Sequence, residues 1–390
     1  MTDRLYENDG YVKEFQAQVT ACLEDPETEP SGEERTFWIV LDRTAFFPEG
    51  GGQNADKGWL DGRAVLDVQV KDGVVYHKTA FALAPGHTVT GVIDWELRFS
   101  NMQQHSGEHI FSGLVHRYFG YNNVGFHLGS QVVTMDFDGV LNARDIDRVE
   151  WDVNGAIARN VPVTVSYPDA EALKNMEYRS KIEIDGQVRL VTVEGYDVCA
   201  CCAPHVARTG EIGGLKVVDF QKYKGGTRVS ILCGFRMLED YRMKQAVVGE
   251  ISRLLSAPAA KADAAVKRQL DENGRLRQVI YGLREQLMEK DIEGIPEGTG
   301  HAWFFKEELD PAMMRRLVNE TLAKVSGFCG VFCGSEDQGY KYIIGTRNGD
   351  ARQLAGLLRE ALGARGGGSA EMIQGFVEAP RASIEAVLPQ

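Results

Sequence analysis

The chain has 390 residues, with 43 Lys+Arg against 56 Asp+Glu for a formal net charge of -13, and is 43% hydrophobic and 25% charged. These values exclude a collagen-like or wholly disordered chain and a general polyanion coat, so any nucleic-acid partner must be met by a local basic patch. Seven cysteines, three of them crowded at Cys199, Cys201 and Cys202, make a poor disulfide framework for this length and point to a reducing compartment and metal chemistry. The start is polar and acidic, and no run approaches the ~18 apolar residues of a membrane span, so a cytoplasmic protein with no membrane partner is expected.

The pattern predicts an α+β, multidomain chain in four blocks. Residues 1–95 read as a small N-terminal β-barrel or sandwich: TFWIVLDRTAFF, GRAVLDVQVKDGVVYH and HTVTGVID are β-branched and aromatic runs punctuated by Gly and Asp. Residues 96–236 read as an α+β domain, opening on a helix whose spacing runs through Met102, His105, His109 and Ile110. Residues 237–292 are charged and helical. Leu276, Ile280, Leu283 and Leu287 form a 4-3-4 stripe, which suits either a coiled-coil arm or a long packed helix. Residues 293–390 hold a linker and a glycine-rich α/β domain with helices expected over 311–324 and 350–363.

Chemistry concentrates in three places. His105-Ser106-Gly107-Glu108-His109 puts two imidazoles four apart on one helix face, and Cys201-Cys202-Ala203-Pro204-His205 puts a thiol and an imidazole four apart in a segment stiffened by proline. Together they offer four borderline-soft ligands that suit one tetrahedral Zn²⁺, although spacing alone leaves Cys199 or Cys202 open as the thiolate. The order His-x-x-Glu-His also matches inverted zinc peptidases, with Glu108 as general base; against that, Glu108 reads as an exposed helix residue. The third place is Gly50-Gly51-Gly52-Gln53, which is either a hairpin turn or a loop whose amides face a ligand.

As an ordered set, RTAFFPEGGGQNADKG (43–58), QHSGEHIFSG (104–113) and CCAPHVARTGEIG (201–213) resemble the editing domain of alanyl-tRNA synthetase. The tail, GFCGVFCG followed by GARGGGSAEMIQG, resembles the C-terminal domain shared by those synthetases and DHH-type phosphoesterases. With no aminoacylation domain ahead of these motifs, the chain is similar to the free-standing AlaX-type editing proteins in their long form. That resemblance implies a zinc-dependent aminoacyl-tRNA hydrolase that removes serine, and glycine as a second candidate, from tRNA(Ala). A pocket built for alanine cannot strongly exclude either, so a second hydrolytic sieve is needed. It further implies one Zn²⁺ on His105, His109, Cys201 and His205, positioning the aminoacyl end or activating water. The commoner motif reads C-G-G-T-H, and Cys202 and Pro204 depart from it here.

On the same resemblance Thr44 is the candidate for bonding the serine hydroxyl, Gln53 and Gly50 to Gly52 line the amino-acid or terminal-adenosine pocket, and His127 is a third catalytic candidate. For tRNA, Lys216, Lys222, Lys224 and Arg228 form a basic stretch, and Arg365 with Gly366, Gly367 and Gly368 offers a guanidinium and backbone amides. Homodimerisation through the helical arm or C-terminal domain is a further expectation. Two rivals stand beside the hydrolase: a zinc peptidase, and a non-catalytic tRNA-binding module with a structural zinc.

Overall fold

A computed structural model describes residues 1–25, 35–180 and 186–390, and the chain divides into a unit of Met1–Glu250 and a unit of Ile251–Gln390. The first unit opens with six antiparallel strands in the order Glu14–Glu24, Phe37–Leu41, Val74–Thr79, Arg63–Lys71, Gly58–Leu60 and Thr88–Ile93. The last pairs back on the first (Glu14 with Val92, Gln18 with Thr88), which closes a barrel and leaves no free edge. Strand alternation sends Phe15, Ala17, Val19, Ile39, Val68 and Val89 inward. Two Asp-Gly pairs, Asp61-Gly62 and Asp72-Gly73, carry positive φ at both residues and form the tight hairpin turns.

One polar pair lies in this barrel core. His77 is fully buried, its Nδ1 lies 3.0 Å from the Ile39 carbonyl and its Nε2 lies 2.8 Å from Thr44 Oγ1. A carbonyl only accepts, so Nδ1 carries the proton and the Thr44 hydroxyl donates to Nε2.

The helix Trp95–Phe119 follows. Asp94 caps it by accepting from the Leu97 amide, and Gly120 closes it in the left-handed region. It is buried on every side from Asn101 to Val115, although half of those residues are polar. Around it pack an antiparallel sheet ordered Leu215–Tyr223, Gly226–Cys233, Val133–Phe137, Asn123–Leu128, a second sheet of Val163–Ser166, Leu190–Val193, Asp197–Ala200, and the helix Ala143–Arg159. Buried polar groups cost several kcal/mol unless paired, and they are paired: Gln104 Nε2 donates to the Cys233 carbonyl and the Cys233 amide donates to Gln104 Oε1, both at 2.8 Å, while Gln103 reaches the Glu211 carbonyl.

The second unit holds a five-stranded sheet ordered Ala302–Lys306, Phe328–Ser335, Gly339–Thr346, Met372–Val377, Arg365–Gly368, parallel only at its first pair. Helices Pro311–Thr321 and Arg352–Leu362 match the two expected ones. Ala262–Glu293 is one helix that runs through Gly274, and its stripe of Leu276, Ile280, Leu283 and Leu287 stays about half exposed. No described helix is long and apolar enough to cross a membrane.

Burial without a counter-charge lowers His77 from 6.5 to about 4. The unfolded chain therefore binds more protons between these values, and this contribution is complete above pH 6.5 and lost as pH falls toward 4. Relative to a His77→Asn protein, wild type is expected to lose about 2 kcal/mol between pH 7.5 and pH 5 in urea unfolding. A pH-independent difference between the two proteins would contradict this assignment.

Candidate metal centre and its cavity

The centre starts from the glycine loop. Gly50 and Gln53 exchange both backbone hydrogen bonds at 3.1 Å, and Gly51 (φ 61°) and Gly52 (φ 82°) supply the left-handed turn between them. A Cβ on Gly52 would lie 2.5 Å from the Phe126 carbonyl oxygen, so only glycine lets the turn lie on strand Asn123–Leu128. There the Leu128 amide donates to the Gly52 carbonyl at 2.7 Å. This registers Gln53 beneath the helix, where its Oε1 meets His105 Nδ1 at 2.9 Å. Gln53 is 1% exposed, and its Nε2 is buried with no acceptor among the described residues.

A buried ion pair fixes the depth of the helix. Arg98 Nε donates to the Asp56 carboxylate at 3.0 Å, Nη2 reaches the same group, and the remaining donors go to the Gly10 and Ala45 carbonyls. Asp56 also accepts the Phe47 amide at 2.6 Å. Both charges are essentially fully buried. The pair ties the first turn of the helix to the segment on either side of the glycine loop.

From the other side comes the loop after strand Asp197–Ala200. Gly113 admits that strand, because a Cβ there would meet the Tyr196 carbonyl at 2.6 Å. Arg189 Nη1 then donates to the Cys201 and Ala203 carbonyls at 2.7 and 3.1 Å and holds the turn.

The result is a cluster in which ligand atoms of His105, His109, Cys201 and His205 all lie within 4.8 Å of one another. Cys201 Sγ is 3.6 Å from His105 Nε2 and 3.4 Å from His205 Nε2. Gln53 Oε1 bonds Nδ1 of His105 and Ser106 Oγ bonds Nδ1 of His205 at 3.1 Å, while Asp197 Oδ2 lies 3.1 Å from Nδ1 of His109 as a charge neighbour outside hydrogen-bond geometry. With Nδ1 facing an acceptor, Nε2 presents its lone pair inward, the arrangement by which metal-binding histidines are oriented. Burial, and then the two neighbouring imidazoles, push His205 well below its ordinary value and so favour the neutral ligand form. Burial pushes the Cys201 thiol up, a cost that a bound cation would offset. The residues therefore fit one divalent metal ion.

Cys201 is the cysteine among these four. Cys202 is exposed. Cys199 belongs to a second buried group with His109 and Asp197, but Asp197 is already held by Arg179 through two contacts of 2.7 and 2.9 Å.

A cavity of about 560 Å³ opens on the cluster, lined among others by Gly51, His105, Glu108, His109, Phe126, Tyr167, Arg189 and Cys201. Several expectations change here. Glu108, read as exposed, is 1% exposed in the cavity wall, because the helix is enclosed all round; its Oε1 accepts from Ser112 Oγ and Asn123 Nδ2, both at 2.6 Å. His127 is exposed and does not line the cavity. The alternation of its strand places Phe126 there instead, with its ring 4.8 Å from that of His105. Thr44 is buried away from the lining, its hydroxyl committed to His77 and to the Phe46 amide at 3.1 Å. Gly51 lines the cavity, whereas Gly50 and Gly52 serve the turn.

Of the basic residues, Lys216 pairs with Glu150 and Arg228 with Asp136, while Lys222 and Lys224 lie exposed at a hairpin tip. Arg365 and Gly366 to Gly368 form an exposed edge strand in the second unit. Asp197, Ser106 and Arg189 were not singled out from the sequence. Only Ser106, lying between the two histidines, carried a local signal.

Two family models match: tRNA synthetases class II (A) over residues 2–97, and the threonyl and alanyl tRNA synthetase second additional domain over residues 188–230. These two segments of the chain thus resemble parts of class II tRNA synthetases. An alanine–tRNA ligase of Halobacterium salinarum is 31% identical over 93% of this chain, which spans 41% of the ligase. The likeness to free-standing proteins runs end to end. Alanyl-tRNA editing protein Aarsd1 of Rattus norvegicus is 27% identical over 98% of this chain and 97% of its own length; alanyl-tRNA editing protein AlaX-L of Pyrococcus horikoshii is 28% identical over 97% and 95%. The chain therefore resembles the AlaX-type editing proteins along nearly its whole length.

Removing an anchor should loosen the metal without removing a ligand. Gln53→Ala is expected to weaken Zn²⁺ binding by about 10- to 100-fold in chelator competition, and an unchanged affinity would refute the role given to Gln53. Arg98→Met, which leaves Asp56 buried and unpaired, should cost about 3–5 kcal/mol in denaturant unfolding. A loss below about 1 kcal/mol would show that the ion pair does not hold the helix.

Proposed function

We propose that the protein is a trans-editing hydrolase that cleaves the ester joining serine, and secondarily glycine, to tRNA(Ala), with one zinc ion as its cofactor. The observation that carries this reading is the convergence of three sequence-distant segments, 50–53, 105–109 and 201–205, on one cluster in a nucleotide-sized cavity. The end-to-end likeness to alanyl-tRNA editing proteins supports the same reaction.

Zinc held by His105, His109, Cys201 and His205 would supply Lewis acidity at the ester. The chain's own groups do the rest. Gln53, which is buried beneath the helix and does not itself line the cavity, keeps the His105 lone pair turned inward. Phe126, its ring 4.8 Å from that of His105, gives the wall beside it an apolar face. Glu108 brings a carboxylate to the same wall, suited to the α-ammonium of an aminoacyl ester. The exposed Lys222, Lys224 and Arg365 are then left for the tRNA body. Self-association through Ala262–Glu293 fits the exposed stripe on that helix.

The burial of Glu108 in the cavity wall also favours the peptidase reading, in which it would be the general base. Against that stands the placement of Cys201 and His205 on the same centre, which a two-histidine peptidase site does not need.

Deacylation of serine-, glycine- and alanine-charged tRNA(Ala) tests the proposal, alongside a peptide substrate. Wild type should clear the seryl ester and spare the alanyl one, while Cys201→Ala should lose at least about 10²-fold in rate. Seryl ester that persists in the presence of zinc-loaded protein would sink the hydrolase. Peptide cleavage abolished by Glu108→Gln but not by Cys201→Ala would install the peptidase.

A further inference from the structure

We propose that Arg189 and Tyr167 form a subsite for the terminal nucleotide of a polynucleotide, the guanidinium holding the 5′-phosphate of that nucleotide and the phenol ring stacking on its base. The editing reading above supplies the larger substrate, but the subsite itself stands on separate observations.

Arg189 is only 9% exposed and lines the cavity beside Cys201. A guanidinium has five N–H donors. Nη1 gives its two to the Cys201 and Ala203 carbonyls, and Nε gives its one to the Glu7 carbonyl at 3.3 Å. All three acceptors are neutral. The two hydrogens of Nη2 have no partner among the described residues, and no described carboxylate pairs with the charge. Of the two acids on the described lining, Glu7 is held by Arg4 at 2.9 Å and Glu108 accepts from Ser112 and Asn123. A cation withdrawn from water without an anion is costly, and such a site is stabilised when an anion arrives.

The second observation concerns shape. Tyr167 is 38% exposed on the cavity lining, and its hydroxyl donates to the same Glu7 carbonyl at 3.3 Å. One backbone oxygen thus fixes a cationic fork and an aromatic face side by side. Exposed aromatic faces beside cations are how proteins hold unpaired bases without reading their edges. Arg4 is taken up by Glu7, which leaves the Arg189 charge for a phosphate at this mouth.

A plain structural role for Arg189, supporting the Cys201 turn and its thiolate, predicts different behaviour from a phosphate seat. The experiment is binding of adenosine 5′-monophosphate and of adenosine to the zinc-loaded full chain by calorimetry. Wild type should bind the monophosphate at least about tenfold more tightly than adenosine. Arg189→Met should erase that preference and leave the adenosine Kd within about twofold, and Tyr167→Ala should weaken both ligands by the same factor. Arg189→Lys keeps the charge without the fork. It should narrow the preference when the two proteins are compared at matched zinc content, so the test survives if the methionine variant does not fold.

Equal binding of the two ligands by wild type overturns the proposal. So does a loss in Arg189→Lys that falls equally on both. A phosphate preference that depends on Arg189 in a protein that hydrolyses no seryl ester would keep the subsite and remove the editing reading. Hydrolysis without any phosphate preference would do the reverse.

Discussion

The buried pair of Arg98 and Asp56 is the constraint on which the site depends. Both charges are buried, and each is satisfied only when the start of the histidine helix, the segment through Ala45, Phe47 and Asp56, and the Gly10 carbonyl come together. Such a pair contributes little net stability compared with apolar packing, but it tolerates almost no displacement. The displacement it forbids is sliding of the helix against the glycine loop. That holds Gln53 Oε1 within hydrogen-bond distance of His105, two turns further along the helix, and the inward lone pairs follow from there.

The same logic runs through the rest of the centre. Each of the three histidines has something chemically modest behind it: an amide, a hydroxyl, a carboxylate already committed to an arginine. The outcome is a helix whose middle, from Asn101 to Val115, is about half polar and enclosed on every side, the reverse of an amphipathic surface helix. Its polar groups are already oriented, and such preorganisation is what would let four side chains hold a metal ion.

How much of this was legible in the sequence depends on whether a signal was local. The pairs His105/His109 and Cys201/His205 are both four apart, and within one local segment that spacing survives folding, so their convergence was readable. Parity on a strand was not: His127 and Phe126 differ by one residue and face opposite ways, and the register that decides between them comes from Gly52 lying on Leu128. Thr44 looked free for a substrate because His77, which claims its hydroxyl, is 33 residues away. Glu108 looked exposed because a polar helix reads as a surface one, and Lys216 and Arg228 looked like a basic patch until strand and helix neighbours brought Glu150 and Asp136 to them. Arg189 and Asp197 are ordinary residues in the sequence, and the fold gives them their roles.

X-ray absorption at the zinc edge of the purified full chain is the most direct test of the account. The account predicts one zinc per chain with three nitrogen neighbours near 2.0–2.1 Å and one sulfur near 2.3 Å, the sulfur disappearing in Cys201→Ala. A shell without sulfur, or one whose sulfur persists in Cys201→Ala, would contradict it.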